Sequence, residues 1–123
     1  MPRTVAVIGA STDRRKFGNK ALRAFAQQGY TVFPINPHER EIEGHPAYAS
    51  VLDVPGPVDM ATVYVRPEVG VRVMDDLAAK KVGEIWLNPG ADGPAVVERA
   101  EQLGLKTIQA CSIIAIGESP SGF

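Results

Sequence analysis

The chain has 123 residues, 45% of them hydrophobic and 22% charged, with 12 Gly, 10 Pro, one Cys and a formal net charge of −1. That size suits one domain, 1–123, and excludes two stacked ones, and the ordinary apolar content excludes a disordered chain. A single cysteine excludes an intramolecular disulfide and fits a reducing cytosol. The longest apolar run near the start, Val5–Ile8, is too short for a signal segment or a membrane span, so a cytoplasmic protein is expected.

The small net charge hides an asymmetry. Residues 1–40 carry seven Lys/Arg against Asp13 and Glu39, a net +5, whereas residues 41–123 carry six basic and twelve acidic residues, a net −6. An anionic ligand is therefore expected at the N-terminal end.

In chain order, the first element is a strand, Thr4–Ile8 (TVAVI), nearly continuously apolar, as a strand covered on both faces must be. A helix over Phe17–Gln28 sets Phe17, Ala21, Leu22, Ala24 and Phe25 on one side and Lys16, Lys20, Arg23 and Gln27 on the other, and Gly29 stops it. A second strand follows at Thr31–Ile35. Its Pro34 lacks a ladder N–H and belongs at the strand end or on the unpaired side. The stretch 36–59 is proline-rich, with a short edge segment expected around Ala47–Tyr48 and a helical turn at 49–53. Strands at Met60–Val65, Glu84–Asn88 and Leu105–Gln109 alternate with helices Pro67–Lys81 and Pro94–Leu103, each opened by a proline in its first turn. Gly104 ends the last of these helices. The pattern predicts an α/β, Rossmann-like, doubly wound and mainly parallel five-stranded sheet with helices on both faces.

In such a sheet ligands sit beyond the carboxyl ends of the strands, which singles out the first loop, Gly9 to Asn19. Gly9 lets the backbone approach a ligand, Ser11 and Thr12 offer hydroxyl and N–H groups, and the next helix N-terminus favours phosphate. Arg14, Arg15 and Lys16 add positive charge; the bland alternative is a tight turn with a solvated basic loop. The dinucleotide fingerprint G-x-G-x-x-G fails, because Ser11 and Arg14 stand where its second and third glycines would. The acidic residue that should follow the second strand is replaced by Asn36, and no P-loop occurs.

Val7-Ile8-Gly9-Ala10-Ser11, Phe17-Gly18-Asn19, Gly29-Tyr30 and Ile35-Asn36-Pro37 together resemble the CoA-binding domain family. Ile42-x-Gly44-x-x-Ala47-Tyr48-x-Ser50-Val51 and Pro57-Val58-Asp59-Met60-Ala61 extend the resemblance, which covers 4–116. This module opens the NDP-forming acyl-CoA synthetases and the succinyl-CoA synthetase alpha subunit, and it also occurs as small stand-alone proteins. The resemblance implies coenzyme A or an acyl-CoA as ligand, with phosphates met by Gly9, Ala10, Ser11, Arg14, Arg15 and Lys16. It places Asn36 and Pro37 along the adenosine, with Arg40 as a further phosphate contact. Val65, Arg66 and Pro67 replace the family's usual Val-Pro after the third main strand, and Arg66 adds a phosphate contact. Trp86-Leu87-Asn88-Pro89-Gly90-Ala91 matches the Trp-Leu-x-x-Gly of stand-alone members, putting Asn88 and Gly90 on the pantetheine path.

No catalytic constellation is assembled from the residues, and the synthetases need a phosphorylatable His and a nucleotide-binding module that 123 residues do not hold. Binding without catalysis is therefore expected. The alternatives are an NAD(H)-binding redox module and a small acyl-CoA-dependent enzyme using Cys111, which otherwise reads as a small buried hydrophobe. His38 and His45 lie among Glu39, Glu41 and Glu43 without metal-ligand spacing, and a solvated acidic loop is expected. The apolar Ile113–Ile116 either covers the core or makes a dimer contact; a homodimer and a partner CoA enzyme both stay open, with no nucleic acid or membrane partner expected.

Overall fold

The computed structural model describes residues 3–123. Five parallel strands form one sheet: β1 (Thr4–Ile8), β2 (Thr31–Ile35), β5 (Met60–Val63), β6 (Glu84–Leu87) and β7 (Thr107–Gln109), ordered β2-β1-β5-β6-β7. A two-stranded antiparallel hairpin, β3 (Glu41–Ile42) with β4 (His45–Pro46), interrupts the chain between β2 and β5. Helix α1 (Phe17–Gln27) covers one face, and α2 (Pro67–Lys80) and α3 (Pro94–Gln102) pack together on the other.

Alternation along β1 feeds both layers. Val5 and Val7 join Ala21, Leu22 and Phe25 under α1, whereas Ala6 and Ile8 join Met74, Leu77 and Val96 under α2 and α3. Side chains on a strand point alternately to the two faces, so a doubly covered strand must be apolar at every position. Pro34 sits on edge strand β2. Its carbonyl accepts the Tyr48 N–H (3.0 Å), so its nitrogen also faces outward, and no hydrogen bond to β1 is lost.

The expected edge segment at 47–48 is a single parallel bridge between Tyr48 and Ile35, and the helical turn is a 3₁₀ turn at Val51–Asp53 capped by Ser50. The strand expected over Met60–Val65 ends at Val63, because Tyr64 and Val65 turn outward to build the cleft described below. The strand at the far edge begins only at Thr107. Beyond it, where no helix is expected from the sequence, a short one, α4 (Ser112–Ala115), and a closing turn at Pro120–Gly122 return the chain to α1. Gln28 Nε2 holds that return by donating to the Ile116 carbonyl (2.7 Å) and to Glu118 (2.8 Å).

Candidate functional site

The chain leaves β1 for β2 on one side and reaches β5 on the other, so strand order reverses between β1 and β5. The loops that follow these strands must diverge there and leave a crevice. A cleft of about 770 Å³ occupies that place. Its walls come from the loop after β1 (Gly9, Ala10, Ser11), the start of α1 (Lys16, Phe17, Gly18), and Asn36 after β2. The remaining walls are Tyr64, Val65 and Arg66 after β5, Asn88 to Ala91 after β6, and Cys111, Ile114 and Pro120 near the chain end.

Two glycines set the first wall. Gly9 has φ +86°, and a Cβ there would lie 3.0 Å from the Tyr64 carbonyl and from Val65 Cγ1. Gly18 has an ordinary conformation, but a Cβ on it would meet the Gly9 carbonyl oxygen at 2.3 Å. The N-terminus of α1 therefore rests directly on the end of β1.

Asparagines hold the loop between these glycines by its carbonyls. Asn36 Nδ2 donates to the Ala10 carbonyl (2.9 Å) while its Oδ1 accepts the His38 N–H (2.7 Å). The fully buried Asn19 donates to the Ser11 carbonyl (2.8 Å) and to Glu43 (3.1 Å), and Arg23 Nε donates to its Oδ1 (2.6 Å). Among the described residues, the N–H groups of Ala10, Ser11 and Thr12 donate to no protein acceptor, which suits an anion at the loop.

The helix starts strengthen that reading. Lys16 is the N-cap of α1 and Arg66 the N-cap of α2, and neither helix has a side-chain cap. A cation at the positive end of a helix opposes the helix dipole. The Asn19 and Val69 N–H groups reach the Lys16 and Arg66 carbonyls, whereas among the described residues those of Phe17, Gly18 and Glu68 have no protein acceptor. Both cations line the cleft.

The second wall is neutral. Asn88 Nδ2 donates to Thr62 Oγ1 (2.7 Å) and to the Val63 carbonyl (3.0 Å), and its Oδ1 accepts the Ser112 N–H (2.9 Å). Ser112 Oγ pairs with Thr62 Oγ1 (2.7 Å) and with the Tyr64 hydroxyl (3.2 Å). Burial pushes the Tyr64 hydroxyl above its usual pKa of 10.0.

Comparison with known protein families matches residues 3–117 to the CoA-binding domain. The chain belongs to the CoA-binding domain family. An ADP-forming acetate–CoA ligase II alpha subunit from Pyrococcus furiosus is 45% identical over 118 residues, covering 87% of this chain and 26% of that subunit. An ADP-forming acetate–CoA ligase I from Archaeoglobus fulgidus is 33% identical over 117 residues, 17% of its length. The chain thus spans about a quarter or less of these curated relatives. A conserved hypothetical protein of known structure from Pyrococcus furiosus superposes with a TM-score of 0.84 at 31% identity, covering 92% of this chain and 98% of that one.

Within this CoA-binding domain, the structure gathers Gly9, Ala10, Ser11, Lys16, Asn36, Val65, Arg66, Asn88 and Gly90 around the cleft. Arg14, Arg15, Pro37, Arg40 and Pro67 lie outside its lining. Arg14 turns to Glu43 at the hairpin tip (3.4 Å), and Arg15, with 91% of its side chain exposed, pairs with Asp13 (3.0 Å). That hydrogen-bonded guanidinium lowers the Asp13 carboxyl from 3.8 to about 2. Pro37 and Arg40 are exposed in the turn after β2, and Pro67 packs in the first turn of α2, close to Gly93. Asn88 lines the cleft, but its amide is spent on Thr62, Val63 and Ser112.

Phe17, expected on the core face, is 52% exposed and lines the cleft, because α1 starts there before its apolar side meets the sheet. Cys111 is half-buried in the cleft wall. Tyr64, Ile114 and Pro120 are not among the site residues expected from the sequence; the one signal is the apolar run 113–116, in which Ile113 is fully buried and Ile114 is exposed at the cleft. Among the described residues no group of three His, Cys, Asp or Glu is placed to hold a metal, and no helix is long and apolar enough to cross a membrane.

Proposed function

We propose that this chain binds coenzyme A or an acyl-CoA in the cleft at the β1/β5 switch point, without catalysing a reaction alone. The observation that carries the proposal is the pair of cations at uncapped helix starts, Lys16 and Arg66, both facing the cleft. Each placement is electrostatically unfavourable in the empty protein and becomes favourable when a polyanion joins the helix ends. CoA supplies such charge in its phosphates. Asn36 also speaks against NAD, since its amide is committed to the first loop and none of the residues lining the cleft is a carboxylate that could take a ribose.

The ADP-forming CoA ligases among the relatives support the same ligand. Thermal melts with CoA, NAD and ADP in turn test it. CoA at ~100 times its Kd should add about 2.7 kcal/mol to the folded state. A raised midpoint with NAD and none with CoA would overturn the proposal.

A second reading rests on the place of Cys111 in the cleft wall. Its sulfur would attack an acyl-CoA thioester carbonyl, the acyl group would pass to Cys111, and CoA would leave as the thiol with the proton. Intact mass after incubation with acetyl-CoA decides this reading: it requires the gain of one acyl group, lost in Cys111→Ser.

A further inference from the structure

We propose that the buried network of Thr62, Asn88 and Ser112, rimmed by Tyr64, positions α4 as the wall that meets the uncharged arm of the ligand. The inference rests on the CoA reading above. It assigns the network a task in binding that none of its own polar atoms performs by touching a phosphate.

α4 has only four residues, too few for a helix to hold itself in water. Its place therefore depends on what grips it, and the grip is at Ser112. The Ser112 N–H donates to Asn88 Oδ1, and its Oγ bonds Thr62 on β5, with both partners almost fully buried. Asn88 is in turn fastened to Thr62 and to the Val63 carbonyl, so the first residue of α4 is tied to the ends of two adjacent central strands. Among the described residues no buried side-chain nitrogen or oxygen is left without a partner, so the network is closed and is not itself a polar docking point.

The residues flanking this grip are the ones presented to the cleft. Cys111 precedes Ser112, and Ile114 lies two residues after it, 63% exposed despite its apolar side chain. Neither carries a hydrogen-bonding group suited to phosphate. The cations and the open N–H groups belong to the first loop and the start of α2 instead. A CoA molecule divides the same way, into a polyanionic nucleotide and a long neutral arm ending in a thiol. Matching charge to charge puts the neutral arm against Cys111 and Ile114.

The test compares two ligands on each variant: CoA, and adenosine 3′,5′-bisphosphate, which has the nucleotide without the arm. Titration calorimetry should show Ser112→Ala and Thr62→Val weakening CoA about tenfold, the equivalent of one lost hydrogen bond, with the bisphosphate changed less than about twofold. Thr62→Ser keeps the hydroxyl and should retain wild-type CoA affinity. Should Ser112→Ala fail to fold, Thr62→Val carries the test, because Asn88 keeps the Val63 carbonyl and Ser112 keeps Tyr64. Equal losses for both ligands, or no loss for CoA, would overturn the positioning role. If the wild-type protein binds neither ligand, the CoA reading itself fails, and this inference with it.

Discussion

The two walls of the cleft are built by opposite means. The first loop and the start of α1 are held by glycine contact and by asparagine amides that take the Ala10 and Ser11 carbonyls, and around them lies a ring of charge: Asp13, Arg14, Arg15, Lys16, Arg23 and Glu43. The α4 wall is held by hydroxyls and one amide, all buried or nearly so, with no ion pair in the network. Charge near water is screened and titrates; a closed neutral network does neither. The first wall should therefore answer to salt and pH, and the second to hydroxyl deletions alone.

The largest expected effect breaks the first wall at its root. Gly18→Ala drives a methyl into the Gly9 carbonyl and should cost about 3 kcal/mol of stability. Gly29→Ala meets no atom within 4 Å and strains only its φ of +91°, so about 1 kcal/mol is expected. Denaturant melts compare the two. Equal losses would mean that α1 shifts freely on β1 and that this wall is not rigid.

A smaller effect separates the cations within that wall. Lys16→Ser and Arg66→Ser should each raise the stability of the ligand-free protein by up to about 1 kcal/mol, by supplying a cap and removing a misplaced charge. Each should also weaken CoA about tenfold, most at low ionic strength. Arg14→Ala with Arg15→Ala should weaken CoA only about twofold, since both arginines already face carboxylates. A larger loss in the arginine pair than at Lys16 and Arg66 would shift the phosphate site outward along the loop.

The smallest effect is that of pH. The Asp13 carboxyl is lowered from 3.8 to about 2, so the folded state holds its proton less tightly than the unfolded chain. Its stabilising contribution is complete above about pH 4 and is lost as pH falls through about 2. Melting midpoints of Asp13→Asn and wild type should therefore converge over that interval. The destabilisation by Ser112→Ala should stay constant between about pH 7 and 4, because nothing in its network titrates there. A change in it would show that the second wall is electrostatic after all.

How far the fold was legible follows from where each signal lies. Thr4–Ile8 and Thr31–Ile35 match the observed strands residue for residue, because short β-branched runs bounded by turn residues are local features. Tyr64 and Val65 continue the apolar run of β5, so nothing local marks where the strand stops and the cleft begins. Likewise Phe17 fits the apolar face of α1 by periodicity, although it lies at the end of the helix that the sheet does not cover.

By itself the sequence determined the alternation of strands and helices, the glycine-opened first loop, the absence of a dinucleotide fingerprint and the resemblance to the family confirmed by comparison. These depend on neighbouring residues and on order along the chain. Tertiary structure alone decided which basic residues stay available to a ligand, since Glu43 reaches Arg14 only after the β3–β4 hairpin folds over the loop. It also decided why position 18 is glycine and how α4 closes the cleft. A contact with the Gly9 carbonyl and a grip on Thr62 arise only when parts of the chain distant in sequence are packed together. Local pattern dictates elements, whereas charge pairing and cavity walls are properties of their assembly.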